Sequence, residues 1–369
     1  MKLHQFLLLL LIATLWACES DDDTSSTGGT TAGTTAGAEG GTPAGAEGGT
    51  PAGAEGGTPV TCVVAPNDYP GSTWGACISD DGTYHSITGS TSAAARTAVF
   101  EAIGDLLWRN DSLTATSFVD AELLYAEDEG LQSRVVRRYD AHVAKPEGAD
   151  CKQADAGTLW PEYCVGPAKI LPVVLSAFDG GQSDMELKAN ARRLEAGLLW
   201  FFFVSTFKES YSCKDAIEDC DSSLGYNNGS KQLSEDGIGF GGLVQELDAN
   251  AYQALFNAHL AVRCWREADS AEVSTMPDVQ QKALDQLDRA LNHGLALILS
   301  DRLTKFAAGN DAQKAEYWAF LEVLGPVIQD AAEKVDATMA GHLAMGWAQG
   351  AQIDVEMQKQ HLMMLFPCP

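Results

Sequence analysis

The sequence predicts an all-α protein, an antiparallel helical bundle or a set of stacked helical hairpins tied by disulfides, after a disordered tether. Apolar residues recur three and four positions apart through most of the chain after residue 90, which is the period of a helix with one buried face. The same region has no useful length of the apolar–polar alternation that is typical of strands. Residues 19–59 carry almost no large apolar side chains, so they cannot contribute to a core.

The most hydrophobic segment after the N-terminus is residues 196–207, AGLLWFFFVSTF. It is too short between its flanking charges to cross a bilayer, which takes about 20 apolar residues. We therefore expect a helix buried on nearly all sides in a core. Ser183 and Glu186 have the spacing of a capping box, which predicts that the helix begins near Asp184 and ends near Tyr211.

The other helices follow from the same period and from capping residues. A first helix is expected from Ser92 to about Asn110, and a second is expected to open at the capping box of Ser117 and Asp120. Residues 143–166 are expected to be a loop. The remaining predicted helices are 170–178, 243–266, Pro277 to the terminating Gly309, 311–324, 327–348 and 353–365, with Pro326 separating two of them.

The N-terminus has the organisation of an export signal, with Lys2, an apolar stretch from Phe6 to Ala13, and the closing tetrapeptide LWAC. It resembles the bacterial lipoprotein signal, with leucine and alanine at positions −3 and −1 relative to Cys18. The resemblance implies diacylglyceryl transfer to the Cys18 Sγ, cleavage after Ala17, and usually acylation of the new N-terminus. Several acyl chains anchor a protein stably to a membrane. The alternative is an ordinary secretory signal, and both imply export.

These features divide the chain into four parts. Residues 1–17 are the signal peptide, and residues 18–59 are a tether that includes three copies of AGAEGGTP. A flexible chain of this composition reaches about 35–40 Å. Residues 60–90 are rich in turn formers and are expected to be an irregular, disulfide-closed lead-in. Residues 91–369 form the helical domain.

Nine cysteines become eight once Cys18 is assigned to lipid, and in an exported chain eight cysteines indicate up to four disulfides. Composition alone leaves 105 connectivities open. Spacing favours local pairs and leaves the last two cysteines for each other: Cys62–Cys77, Cys151–Cys164, Cys213–Cys220 and Cys264–Cys368. An oxidising compartment favours the Gram-negative cell envelope, and we expect the outer membrane in preference to the inner one.

The chain has 51 acidic and 24 basic residues, a net charge of −27. So acidic a chain, with no basic stripe, repels phosphate backbones, which excludes nucleic acid as a partner. The membrane, through the lipid on Cys18, is the expected partner. The sequence does not specify a protein or small-molecule partner, and it indicates no cofactor.

Metal-binding chemistry has two candidate locations. The segment from Cys213 to Gly229 is expected to be a loop, and it offers oxygen ligands for a non-standard calcium site. The alternative for this segment is a disulfide-pinned surface turn. Three histidines on predicted helices could also converge, although the zinc spacings H-E-x-x-H and C-x-x-C do not occur. The candidates are Asp219, Asp221 and Asn228 in the loop, and His259, His293 and His342 on the helices.

Two motif matches lack the context that their chemistry needs. Residues 237–242 fit G-x-G-x-x-G but follow no predicted strand, so we expect glycines that turn the chain into a helix. Ser205 and Lys208 fit S-x-x-K of acyl-serine enzymes, but they lie late in an apolar helix and no K-T-G occurs. We assign no catalytic residue.

The helical body is similar in architecture to the imelysin-like envelope proteins, which are exported, lipid-anchored and all-helical, some of them tied to iron uptake. Their G-x-H-x-x-E signature is absent here, so no functional residue is carried over. We expect a lipid-anchored, non-enzymatic envelope protein whose helical body binds a ligand or partner. The alternative is an anchored metal-binding uptake protein or a hydrolase.

Overall fold

All regular structure in the described part of the chain is helical, which confirms the all-α prediction. The computed structural model describes residues 81–87, 91–127, 130–268 and 277–369, apart from the side chains of residues 267 and 268. These residues all belong to one unit, Pro59–Pro369. The predicted signal, the lipid on Cys18, the tether and the Cys62–Cys77 disulfide lie outside the described residues.

The helices fall into two groups along the chain, the first of which ends with α6, which we call the central helix because it has the longest uninterrupted buried run among the described residues. The first group is α1 Ser92–Leu106, α2 Ala115–Ala126, α3 Leu131–Val135, α4 Ala156–Leu159, a π-helical turn Gly166–Ile170, α5 Leu171–Gln182 and α6 Leu187–Ser212. The second group is α7 Asp219–Asn228, α8 Gly239–Leu247, α9 Ala249–Ala268, α10 Pro277–Ala308, α11 Asp311–Leu324, α12 Gln329–Val335, α13 Ala337–Ala348 and α14 Val355–Leu365. Short 3-10 turns occupy Gly325–Ile328 and Gly350–Gln352.

The central helix lies in the core and packs against α5, α7 and α11. Its apolar run is buried on all sides, as predicted, and aromatic rings from other helices meet it edge to face. Its start was predicted three residues too early. Asp184 and Glu186 have left-handed backbone angles, with φ of 59° and 41°, and Ser183 and Glu186 form no capping box. The backbone N–H groups of Asp184 and Met185 instead donate to carbonyls at the end of α5, so this segment terminates α5.

Two predicted long helices are each divided by an aspartate. Residues 243–266 form α8 and α9, which separate at Asp248, and residues 327–348 include α12 and α13, which separate at Asp336. The Asp248 carboxylate accepts from the N–H groups of Asn250 and Ala251, and Asp336 caps α13 in the same way. An aspartate that bonds these otherwise unpaired N–H groups favours a new helix start over continuation.

The capping predictions were correct at some helix starts and displaced at others. Asn310 and Gln313 form the predicted capping box of α11, and α10 begins at Pro277 and ends before Gly309. The second helix begins earlier than predicted, because Thr114 is the N-cap. Ser117 is the N3 residue of its capping box.

The segment after the central helix was predicted to be a loop, but most of it is the helix α7. Its N-terminal side is joined to the central helix by the Cys213–Cys220 disulfide, and it ends at Gly229, whose φ of 75° suits glycine. The glycines at 237–242 then turn the chain into α8, as predicted. Gly239 has a φ of 64°, and a Cβ on Gly241 would lie 2.9 Å from that of Asn228.

The cysteines confirm two predicted pairs and overturn a third. Cys151–Cys164 and Cys213–Cys220 are disulfides with Cα–Cα distances of 5.4 and 5.1 Å. Cys264 is disulfide-bonded, but Cys368 is a free thiol, so the predicted Cys264–Cys368 bond is wrong. That pairing came from elimination along the sequence. The structure instead packs α14 against α10, where the Cys368 Sγ lies 4.0 Å from the Nε2 of His293.

Candidate functional site

A cavity of about 230 Å³ opens beside the first half of the central helix. Its walls come from the central helix, α8, α10 and the turn that follows α1. The lining contains four basic, three acidic and four apolar side chains: Arg109, Arg192, Arg302 and Lys305; Glu195, Glu246 and Asp301; Trp108, Leu243, Leu247 and Ile298. We call this space the Glu195 cavity.

Glu195 is the most deeply buried charged group of the cavity, with 1% of its surface exposed. It accepts hydrogen bonds from Arg192 Nη1 at 2.7 Å and from Arg302 Nη2 at 2.9 Å. Burial favours the neutral acid, but the two guanidinium groups outweigh it and hold the pKa of Glu195 below its ordinary value. The carboxylate is therefore charged and fixed between two helices, α6 and α10.

Each of these arginines also has a second acidic partner. Arg192 Nε lies 2.9 Å from Glu316 Oε1, and Arg302 Nη1 lies 2.5 Å from Asp301 Oδ2. The guanidinium of Arg302 also lies over the ring of Phe320, 5.0 Å from its centre. Each of the three charged groups, Glu195, Arg192 and Arg302, is therefore held by more than one contact.

Some polar groups of the cavity keep bonding capacity. The Nε of Arg302 has no hydrogen-bond partner among the described residues. It is buried, like the rest of Arg302, which is only 7% exposed. Glu246 is exposed and makes no ion pair within the described part of the chain. Lys305 and Arg109 are partly exposed at the rim. The cavity thus offers charges of both signs beside an apolar wall that includes Trp108.

A second charged group, which we call the Glu209 cluster, lies at the other end of the central helix. Glu209 accepts from Arg138 Nη1 at 2.8 Å and from Lys208 Nζ at 2.9 Å. Arg138 is buried between the rings of Phe201 and Tyr226, at 5.2 and 5.3 Å from their centres. This cluster is enclosed by protein and lines no part of the Glu195 cavity.

The two acids near Lys208, Glu209 and Asp219, have pKa values that are shifted in opposite directions. Burial would raise the pKa of Glu209, but Lys208 and Arg138 lower it to about 2. Asp219, whose carboxylate lies 3.9 Å from Lys208 Nζ and bonds the Ser212 hydroxyl, lacks such compensation. Burial, and then the negative charge of Glu209, raise the pKa of Asp219 to about 7.

His142 adds a third titrating group on the same side of the core. Its ring stacks on Phe207 at 3.8 Å, and its two nitrogens lie 2.7 Å from Asp140 and 2.9 Å from Asp288. Burial would lower the pKa of His142, but the hydrogen bonds to the two carboxylates outweigh it and raise the pKa to about 9. The imidazole therefore carries a positive charge at neutral pH.

The three oxygen ligands considered for calcium have separate partners. Asp219 belongs to the Glu209 cluster. Asp221 accepts from the Tyr84 hydroxyl at 3.2 Å and the Ile87 N–H at 2.8 Å, which ties the lead-in to α7. Asn228 bonds Lys231 and Tyr252. Among the described residues, no group of three or more His, Cys, Asp or Glu side chains is placed to hold a metal ion.

The three histidines considered with them lie in different surroundings. His259 is fully buried, and burial lowers its pKa to about 3. His293 is buried with its Nδ1 2.8 Å from the Phe366 carbonyl, whereas His342 is exposed beside His361. The S-x-x-K match also carries no nucleophile, because the buried Ser205 hydroxyl donates to the Phe201 carbonyl at 2.5 Å.

Sequence reasoning missed the residues of the Glu195 cavity. A signal for two of them was present, because Arg192 and Glu195 stand one turn apart in the first half of an apolar helix. Charges on a helix that is buried on all sides need partners, so their positions indicated an ion pair. The partner from α10, Arg302, is far along the chain and no local pattern indicates it.

Comparisons with protein-family models, with curated protein sequences and with solved structures gave no match. In the part of the chain that the structure describes, no helix combines the length and apolar character that a membrane span needs.

Proposed function

We propose that this protein is a lipid-anchored component of the cell envelope whose helical body binds a small polar ligand in the Glu195 cavity without chemical conversion. The anchor part rests on the lipoprotein-like signal that ends at Cys18, and on the acidic, cysteine-rich composition. The binding part rests on one observation. A fully buried carboxylate is clamped by two arginines at the wall of an open cavity whose lining includes the exposed Glu246.

The cavity favours a small ligand that carries both charges. Its volume of about 230 Å³ lies below the roughly 300–1,000 Å³ that is usual for drug-sized ligands. Glu246 is available to an ammonium group, and the partly exposed Lys305 is available to a carboxylate. A zwitterion also enters a strongly acidic protein without net repulsion. Free amino acids and dipeptides combine this size with these charges.

The binding proposal is tested by calorimetric titration of the full chain with a panel of free amino acids and dipeptides. We expect saturable binding of at least one, lost or weakened tenfold or more in Glu246→Gln and in Lys305→Met. Glu162→Gln, which changes an exposed glutamate that is not among the lining residues, is the matched control and should bind normally. If no probe binds, or if the control and cavity variants bind alike, the cavity is not the ligand site.

The anchor proposal is tested separately by replacing Cys18 with alanine. Because lipidation precedes cleavage in the lipoprotein pathway that the signal resembles, Cys18→Ala should remain uncleaved and lose its acyl mass. Intact-protein mass spectrometry and membrane fractionation measure both. Processing of the variant after Ala17 would instead identify an ordinary secretory signal.

A further inference from the structure

The hairpin of α13 and α14 carries a strip of histidine and methionine side chains, of which four are exposed and His361 is half-buried. His342 and Met345 lie one turn apart on α13, and Met357, His361 and Met364 follow one another at single-turn spacing on α14. The three methionines are 57%, 54% and 55% exposed. Exposed methionine is unusual, since this side chain normally fills gaps in a core. We call these five residues the His–Met strip.

The two helices bring the residues of the strip to matching levels. The rings of His342 and His361 have their centres 5.6 Å apart, and Gln358 Nε2 donates to the Leu343 carbonyl at 2.9 Å. Residue numbers therefore rise on one helix as they fall on the other, so the helices are antiparallel. One turn from the histidine pair, this register places Met345 opposite Met357.

The separation of the two rings suits a shared metal ion. A metal bound to both would lie about 2.0–2.1 Å from each nitrogen and hence about 3.2 Å from each ring centre. Ring centres about 5–6 Å apart then fit ligand–metal–ligand angles between tetrahedral and linear. The observed 5.6 Å falls inside this interval.

The histidines also lack other bonding partners. The Nδ1 of His361 is buried and has no hydrogen-bond partner among the described residues. His342 makes no hydrogen bond within the described part of the chain.

We propose that the His–Met strip binds a soft monovalent cation of the copper(I) type, with His342 and His361 as nitrogen ligands and Met345 and Met357 as thioether ligands. Thioether sulfur favours copper(I) over magnesium, calcium and manganese, whereas imidazole serves copper and zinc alike. The two methionines are therefore what directs the site to copper(I). Met364 lies one turn beyond His361, on the side away from Met357, and is not one of the four proposed ligands. The site is separate from the Glu195 cavity and does not depend on the function proposed for it.

The test is an anaerobic titration of the full-length chain with the acetonitrile complex of copper(I), in competition with bicinchoninate. No thiol reductant is used, because it would open the disulfides, and all proteins carry Cys368→Ser so that this thiol does not compete. We expect one equivalent of copper(I) that His342→Ala with His361→Ala abolishes. Met345→Leu with Met357→Leu should weaken copper(I) binding at least tenfold and leave zinc binding unchanged.

Matched controls carry the same changes elsewhere: His85→Ala and Met185→Leu remove an exposed histidine and an exposed methionine outside the strip. Both should retain the copper(I) equivalent. X-ray absorption should show nitrogen and sulfur scatterers around the bound ion. Retention of the equivalent in the double histidine variant would overturn the site. If the double methionine variant bound copper(I) as tightly as the parent, the thioether assignment would be wrong. Circular dichroism checks that each variant is folded. If the double histidine variant does not fold, His342→Gln, a single change at an exposed position, should still weaken copper(I) binding.

Discussion

The two ends of the central helix carry the same local chemistry in different surroundings. Near the start, Glu195 is held by Arg192 and Arg302, and near the end, Glu209 is held by Arg138 and Lys208. Both carboxylates are buried, and both pKa values lie below the ordinary value because of the flanking cations. Burial and pairing alone therefore do not separate a binding site from a structural cluster.

The two ends of the central helix differ in how many of the cations reach a second acid, and in whether the charged groups line an open cavity. The cations around Glu195 each reach a second acid, Glu316 or Asp301, and they line an open cavity. At the Glu209 end, Arg138 is enclosed by aromatic rings, and the nearby Asp219 has a raised pKa. A charged group that is redundantly held and open to solvent can exchange a contact with a ligand. Glu209 is enclosed, and only one of its two cations, Lys208, lies near a second acid, so this cluster serves the fold. This comparison is our reason for placing the ligand at the Glu195 end.

The largest expected effect separates the two glutamates directly. Glu209→Gln leaves Arg138 buried without its carboxylate, and breaking a buried pair in this way typically costs about 3–5 kcal/mol. Glu195→Gln should cost less, because Arg192 and Arg302 keep Glu316 and Asp301. Chemical denaturation of both variants beside the parent measures the two differences in unfolding free energy. Equal losses would show that the second acids do not support the cations at the Glu195 end.

The Glu209 end should also contribute to the pH dependence of stability. In the folded chain the pKa of Asp219 is about 7 against an ordinary 3.8, so the folded state binds this proton more tightly. The stability contributed by Asp219 then falls as pH rises from about 4 to about 7. The His142 contribution is present below its ordinary pKa of 6.5 and is lost as pH rises through about 9. The Glu209 contribution is present above 4.5 and is lost as pH falls towards 2.

His259 acts in the opposite direction, because its buried ring has a pKa of about 3 against an ordinary 6.5, so its contribution to stability is lost as pH falls from about 6.5 to 3. The difference between the parent and an Asp219 variant isolates the Asp219 contribution from that of His259. Asp219→Asn replaces the carboxyl by a neutral group of the same shape that still accepts from Ser212. At pH 8 it should raise the unfolding free energy by about 2–3 kcal/mol, and at pH 4 it should have little effect. Thermal unfolding of parent and variant across this range gives the result. A variant that gains as much over the parent at pH 4 as at pH 8 would contradict the raised pKa.

The sequence was a good guide to the helices and a poor guide to where they divide. Periodicity identified the central helix, and the capping box at Asn310 located the start of α11, because both signals are local. The divisions at Asp248 and Asp336 were missed, since apolar spacing continues across them and only the side-chain caps reveal the breaks. Ser183 and Glu186 had the right spacing for a cap, but the end of α5 uses that segment.

The candidate sites depend on contacts that local patterns do not contain. The Glu195–Arg302 pair joins α6 to α10, and the His342–His361 pair joins α13 to α14. His342 was singled out from the sequence, but with His259 and His293 and not with His361. Periodicity states which face of a helix is buried and does not state which other helix covers it. The incorrect Cys264–Cys368 pair has the same origin, since elimination along a chain ignores which elements pack together.

The smallest effects on the unfolding free energy are expected at the cysteines. The comparison is between the disulfide at the enclosed end of the central helix and the free thiol of Cys368. Cys213 and Cys220 connect the end of the central helix to α7, and serine at both positions should lower the unfolding free energy by about 2 kcal/mol, since they close a short loop. Cys368 is a free thiol beside His293 and closes no loop, so Cys368→Ser should change stability by no more than about 0.5 kcal/mol.

Denaturation without reductant compares the variants, and thiol labelling of the native chain should modify Cys368 but neither Cys213 nor Cys220. A loss in Cys368→Ser as large as that in the double variant would mean that Cys368 is bonded after all, which would restore the long-range disulfide and remove the contrast.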